Sequence, residues 1–139
     1  MTRREAREKA VQALYQIDMR KIDPNEALAA VNQEEMQGDE HEFLKQLVHG
    51  AVENQAQIDE AIKKNLRNWT MERLAFVDRA ILRIAVYEIL YDTSIPSKVS
   101  MNEALELAKS FGMEESVKFI NAVLANIVKE TDQSGEAVQ

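Results

Sequence analysis

The chain has 139 residues, 24 Asp and Glu against 17 Lys and Arg, a formal net charge of −7 and no cysteine. That length suits one domain with a sizeable core, and the missing cysteine excludes a disulfide framework, a thiolate metal site and a cysteine nucleophile. No apolar run reaches the roughly 18 residues of a membrane helix and no signal-peptide pattern is present, so the expected location is the cytoplasm.

Four Gly and two Pro punctuate a chain rich in Ala, Leu, Glu, Lys and Gln, which predicts an all-α protein. Thr2 followed by Glu5 is a capping box, so a first helix begins at Arg3 and runs to about Met19, with Ala6, Ala10, Ala13, Leu14 and Ile17 as its buried stripe. Asp23, Pro24 and Glu26 start a second, short helix that ends near Asn32, before a polar stretch around Gly38. A long helix is predicted from about Asp39 to Asn65. Leu44, Leu47, Val48, Ala51, Ile58, Ile62 and Leu66 keep helical spacing across a polar patch at Glu53 to Gln57. Trp69 falls in the turn beyond it. Leu74 to Tyr91 is apolar around most of its circumference, the mark of a central helix. Ser94, Ile95 and Pro96 break it. Ser100 and Glu103 form a third capping box, opening a helix through Phe111 that Gly112 stops. The last helix spans about Glu114 to Lys129. Residues 1–130 therefore make one helical domain, and residues 131–139, TDQSGEAVQ, are expected to be a disordered tail. There is no strand signal and no internal repeat.

Charge is unevenly placed. Residues 1–21 hold six Lys and Arg against three Asp and Glu, whereas residues 22–62 hold one against ten. Arg3, Arg4, Arg7 and Lys9 thus form a cationic cluster on an anionic protein, the pattern of a localised polyanion footprint. Arg3 and Arg4 stand in the first helical turn, where the helix dipole disfavours cations, and a phosphate partner accounts for that choice. The competing reading is a solvated N-terminus.

Sequence signals for catalysis are weak. The glycines are too dispersed for a phosphate loop. His41 and His49 stand eight residues apart without an HExxH pattern, so no metal is expected. The acidic pairs Glu34/Glu35 and Glu114/Glu115, like the cluster Asp39/Glu40/Glu42, read as solvated faces, and no cofactor is implied.

Three stretches carry a resemblance: REAREKAVQALYQ (residues 4–16), VDRAILRIAVYEILY (77–91) and IPSKVSMNEALELAKSFGMEESVKFINAVL (95–124). In order and spacing they resemble the NusB family of bacterial transcription antitermination factors, over about residues 3–127. The resemblance implies an all-α fold of two perpendicular three-helix bundles sharing long central helices, and a non-enzymatic role. It implies binding to single-stranded boxA RNA of ribosomal-operon transcripts together with the small-subunit ribosomal protein NusE. The wider assembly is the RNA polymerase antitermination complex with other Nus factors, and no membrane is involved. Homodimerisation is left open, as is a reading as a helical adaptor or self-associating module without intrinsic RNA contact. NusB-like domains also occur fused to RNA cytosine methyltransferases, but this chain carries no catalytic domain.

Residue by residue, the family's arginine-rich stretch is matched by Arg3, Arg4 and Arg7, with Lys9 beside them, while Glu5 stands where relatives often carry a further Arg. Gln12 and Tyr15 match positions near the junction of RNA and protein partner. Glu72 and Asp78 match acidic partner-facing positions. The acid–Ser–x–Lys–Phe segment is Glu115 to Phe119, in which Lys118 and Phe119 resemble RNA contacts and Glu115, in place of the frequent Asp, tunes affinity.

The residues themselves are compatible with those roles without demanding them. On a helical wheel Val117, Ile120, Val123, Leu124 and Ile127 share one face, Phe119 lies at its margin and Lys118 points nearly opposite. Such a pair suits base stacking beside a phosphate, but Phe119 could equally fold over the core edge and Tyr15 could be core rim. Asn121, near the buried side, reads as a structural hydrogen-bonding residue. Asp78 and Glu88 interrupt an apolar segment and need partners: for Asp78, either Arg79 or Arg83 within the chain or a basic surface from another protein.

Overall fold

The computed structural model describes residues 2–32, 38–67, 69–111 and 114–138, with side chains through Asp132. Seven α-helices and one 3₁₀ turn make up its regular structure, with no strand among the described residues. Helix α1 (Arg3–Arg20) opens as expected, the Thr2 hydroxyl accepting the Glu5 N–H at 3.1 Å, and Lys21 closes it in a left-handed conformation. Helix α2 (Pro24–Val31) starts on Asp23, whose carboxylate accepts the Asn25 N–H at 2.8 Å.

The single long helix expected next is divided into α3 (Asp39–Glu53) and α4 (Gln55–Lys63). The break falls at Asn54, within the polar patch. Its side-chain amide donates to the Gly50 carbonyl at 2.8 Å, a local bond that competes with helix continuation. A 3₁₀ turn (Met71–Arg73) leads into α5 (Phe76–Tyr91), in which every residue from Ala80 to Ile89 is buried. This is the central helix the apolar pattern called for.

Helix α6 (Ser97–Phe111) begins one turn earlier than the Ser100/Glu103 capping box would place it. The Pro96 carbonyl accepts the Val99 and Ser100 N–H groups, so Ser100 lies inside the helix and buried. Helix α7 (Glu114–Val138) continues through the segment expected to be a tail. The expected Gly112 stop lies outside the described residues.

Helices α1, α2 and α3 pack mutually, as do α5, α6 and α7; the two groups meet where α1 and α3 lie on α5, and α4 packs on α5 and α7. One continuous core results, with Leu44, Leu47, Ile58, Ile62, Leu82, Ile84, Leu107, Ile120 and Leu124 among its sealed side chains. The groups approach closely at Gly50 on α3, which lies against the Tyr87 ring of α5; a Cβ at that position would overlap the ring carbons.

Candidate nucleic-acid and partner interface

Helix α1 carries the cationic cluster, and its neighbours decide how much of that charge faces solvent. Arg7 follows the same seven-residue spacing as Leu14 and so falls on the buried face. Its guanidinium makes a bidentate pair with Glu88 of α5 (Nε to Oε2 2.9 Å, Nη2 to Oε1 2.7 Å), and the Ser100 hydroxyl donates to the same carboxylate at 3.2 Å. Arg7 and Glu88 are both buried. This corrects the expectation that Arg7 is displayed to RNA phosphates: a guanidinium held this way inside the protein completes the satisfaction of a buried carboxylate.

Arg4 sits at the surface but is also engaged, with Nε 2.9 Å and Nη2 3.1 Å from the two oxygens of Glu103 on α6. The Arg4 hydrogen bond and charge, with Arg7 adding to them, hold the Glu103 carboxyl below the usual range. Arg3 is exposed, its guanidinium 4.4 Å from the Phe43 ring centroid, a cation–π contact that fixes where its charge lies. The net positive field at this corner is therefore smaller than the sequence count suggests.

At the far end of α1 the polarity reverses. Asp18 receives Arg79 (2.8 Å) and Arg83 (3.3 Å) from α5, and Arg83 forks onto Asp59 of α4 at 2.9 and 3.0 Å. Arg79 also donates to the Met71 carbonyl and lies over the Phe76 ring. Both arginines proposed as partners for Asp78 are thus committed elsewhere.

Two clefts flank the first turn of α5. The larger, about 620 Å³, is lined by Lys9, Gln12, Tyr15, Gln16 and Arg20 of α1, with Ala30, Val31, Val77 and Phe111. Tyr15 is half-buried and meets Phe76 edge to face, ring centroids 6.1 Å apart. The smaller, about 310 Å³, is lined by Trp69, Arg73, Leu74, Ala75, Asp78, Glu115, Ser116 and Phe119. Consecutive residues Val77 and Asp78 line different clefts, so the start of α5 is the partition between them.

In the second cleft Asp78 is half-buried, and burial pushes its carboxyl above the usual range; the Ser116 hydroxyl, donating at 3.3 Å, only partly offsets this. No arginine pairs with Asp78 among the described residues, so its ionised form is stabilised by one neutral donor. Phe119 is half-buried against the core edge, as the wheel placed it, and Lys118 is exposed. Trp69 is 53% exposed with Arg73 over its ring, an aromatic surface that sequence spacing could not assign to any site. Glu72 is exposed on the 3₁₀ turn, its carboxyl lowered by its own backbone N–H and the Thr70 side chain. Asn121 is exposed rather than structural. The structure thus gathers Glu115 and Phe119, expected on RNA, with Asp78, expected on a protein, in one cleft; Lys9, Gln12 and Tyr15 share the other.

The sequence and the overall fold match known proteins. A model of the NusB family matches residues 4–129. The chain belongs to the NusB family. Among curated relatives, the transcription antitermination protein NusB of Bacillus licheniformis is 55% identical over 91% of this chain and 96% of its own length. That of Bacillus subtilis is 54% identical over 96% and 100%. Among solved structures, T. maritima NusB superposes with a TM-score of 0.88 at 37% identity, over 94% of this chain and 92% of its own. A crystal structure of antitermination factors NusB and NusE in complex with double-stranded RNA matches with a TM-score of 0.85 at 33% identity, covering 92% and 96%. As a NusB-family fold, the all-α architecture read from the sequence stands. No helix among the described residues is long and apolar enough to cross a membrane.

Proposed function

We propose that this chain is a cytoplasmic, non-catalytic antitermination factor that holds boxA-type single-stranded RNA of ribosomal-operon transcripts jointly with the ribosomal protein NusE, within an RNA polymerase antitermination complex. The observation that carries this reading is its likeness, along nearly the whole chain, to a NusB solved together with NusE and double-stranded RNA, with the single-stranded preference resting on the family resemblance. The site residues fit it unequally. Arg3, Arg4 and Lys9 supply phosphate contacts along α1, with Gln12 further along the same helix; Phe119 and the exposed Trp69 line one cleft with ring surfaces on which unpaired bases stack, and exposed Lys118, next in sequence to Phe119, adds a cation. Asp78, short of a cation, and exposed Glu72 suit a basic protein, and Tyr15 borders the same turn of α5. RNA lying across both proteins couples the two binding events.

The test is a titration of boxA-type and scrambled RNA, with and without NusE, at two salt concentrations. We expect boxA-type RNA to bind more tightly, NusE to raise that affinity, and added salt to weaken binding. Absence of RNA binding both alone and with NusE sinks the reading. The internal pairing of Arg4 and Arg7 favours one second reading, a helical adaptor or self-associating module that leaves RNA to its partner. In that case gel filtration gives a dimer, or a complex with NusE, whose mass RNA does not change.

A further inference from the structure

The Arg4–Glu103 pair is the outermost member of a series of alternating charges. From the core outward, four groups alternate in sign: Glu88, Arg7, Glu103, Arg4. Their side chains are 1%, 5%, 20% and 53% exposed, so solvent access rises step by step along the series. The inner pair is sealed and also bonded by Ser100. The outer pair is partly exposed, Arg4 more than Glu103, and an ion pair that water reaches contributes little to folding. Glu103 nevertheless occupies the Nε–Nη2 edge of Arg4 with both oxygens, as two oxygens of a phosphate would.

We propose that Glu103 is an internal phosphate mimic that latches Arg4 and sets the threshold for RNA binding at this corner. This rests on the reading of α1 as an RNA-contacting helix. A phosphate forking onto the Nε–Nη2 edge of Arg4 must displace the carboxylate, and the displaced carboxylate is not stranded, because Arg7 Nη1 lies 4.0 Å from it. The latch therefore opens at the surface without disturbing the buried pair. Its effect is to weaken every polyanion by the same factor, because a phosphate contact reads no sequence. Only RNA held additionally elsewhere, by the cleft at Phe119 or by the protein partner, then binds at working concentrations. Glu103 would thus keep an arginine-bearing helix from capturing transcripts indiscriminately.

The experiment is a set of RNA titrations at fixed salt with four proteins: wild type, Glu103→Gln, Arg4→Gln, and the double variant. Each is titrated with boxA-type RNA and with a scrambled RNA of equal length and composition. Glu103→Gln should tighten both RNAs alike, by roughly two- to fivefold, the range expected for releasing one partly exposed ion pair. Its thermal unfolding should stay at or slightly below wild type, so affinity rises while stability does not, a combination that a purely structural role would not give. In the Arg4→Gln background the same change should have little effect. Three outcomes overturn the latch: Glu103→Gln leaving or weakening RNA affinity, tightening only one of the two RNAs, or acting equally with and without Arg4. Wild type failing to bind either RNA, alone or with NusE, removes the functional reading and the latch together. Binding that is intact but indifferent to Glu103 removes the latch alone.

Discussion

The two ends of α1 are pinned to α5 with opposite polarity. Near its start α1 supplies the cation, Arg7, to a carboxylate of α5; near its finish it supplies the carboxylate, Asp18, to two arginines of α5. An antiparallel pair with such crossed charges favours one arrangement, since reversing α1 sets like charges together and sliding it parts both sets of ion pairs. The ends differ in what remains outside. At the Asp18 end the charges close on one another and on Asp59. At the Arg7 end the series runs out to Arg4, and Arg3 lies beside it on Phe43. One helix therefore combines a neutralised, structural end with an end that can exchange partners.

The largest test of that contrast is Arg7→Ala. Leaving Glu88 buried without its guanidinium should cost about 3–5 kcal/mol in urea unfolding. Replacing Arg7 and Glu88 together with Met should recover most of the loss. If Arg7→Ala instead spares stability and weakens RNA binding, the inner pair belongs to the exchangeable surface after all. Asp18→Ala should have a smaller effect, about 1–3 kcal/mol, because Arg83 retains Asp59 while Arg79 loses its carboxylate. It should leave RNA affinity unchanged, and a loss of RNA affinity would show that the two ends are not separate in function.

The smallest effect is expected at Asp78, beyond both ends, and it carries a sign. Burial raises this carboxyl in the folded state, so the native protein holds the proton more tightly than the unfolded chain does. Stability from this group is therefore present at low pH and lost as pH rises through its raised pKa. Asp78→Asn should melt slightly above wild type at neutral pH, with the difference vanishing in acid, as paired melts across a pH series would reveal. The same variant should weaken NusE binding. An Asp78→Asn protein that melts lower at neutral pH would mean the carboxylate has a cationic partner within the chain.

Local chemistry made much of this fold legible. Thr2, Asp23 and Pro24 announced the first two helices because a cap is decided within four residues, and the apolar circumference of α5 marked it as central. The segment carrying Ser116 to Phe119 was visible as a resemblance, and its wheel placed Phe119 correctly at the core margin. What escaped was set by partners far along the chain. Arg7 reads as one of four surface cations until Glu88, 81 residues away, is brought against it. The seven-residue spacing from Arg7 to Leu14 was the available clue. Glu103 looked like the reciprocal half of a capping box because only the fold shows that Pro96 starts the helix and Arg4 reaches the carboxylate. Asn54 ended a helix through a side-chain bond that periodicity does not register.

Gly50 gives the inter-bundle contact its tolerance, or lack of it. With the Tyr87 ring where a methyl group would stand, the distance between α3 and α5 is dictated by a hydrogen atom. Tyr87 precedes Glu88 in the chain and stacks on Tyr91, so any wedge at Gly50 would lever the stretch of α5 that receives Arg7. A position with no side chain thereby bears on how α5 presents Glu88 to Arg7.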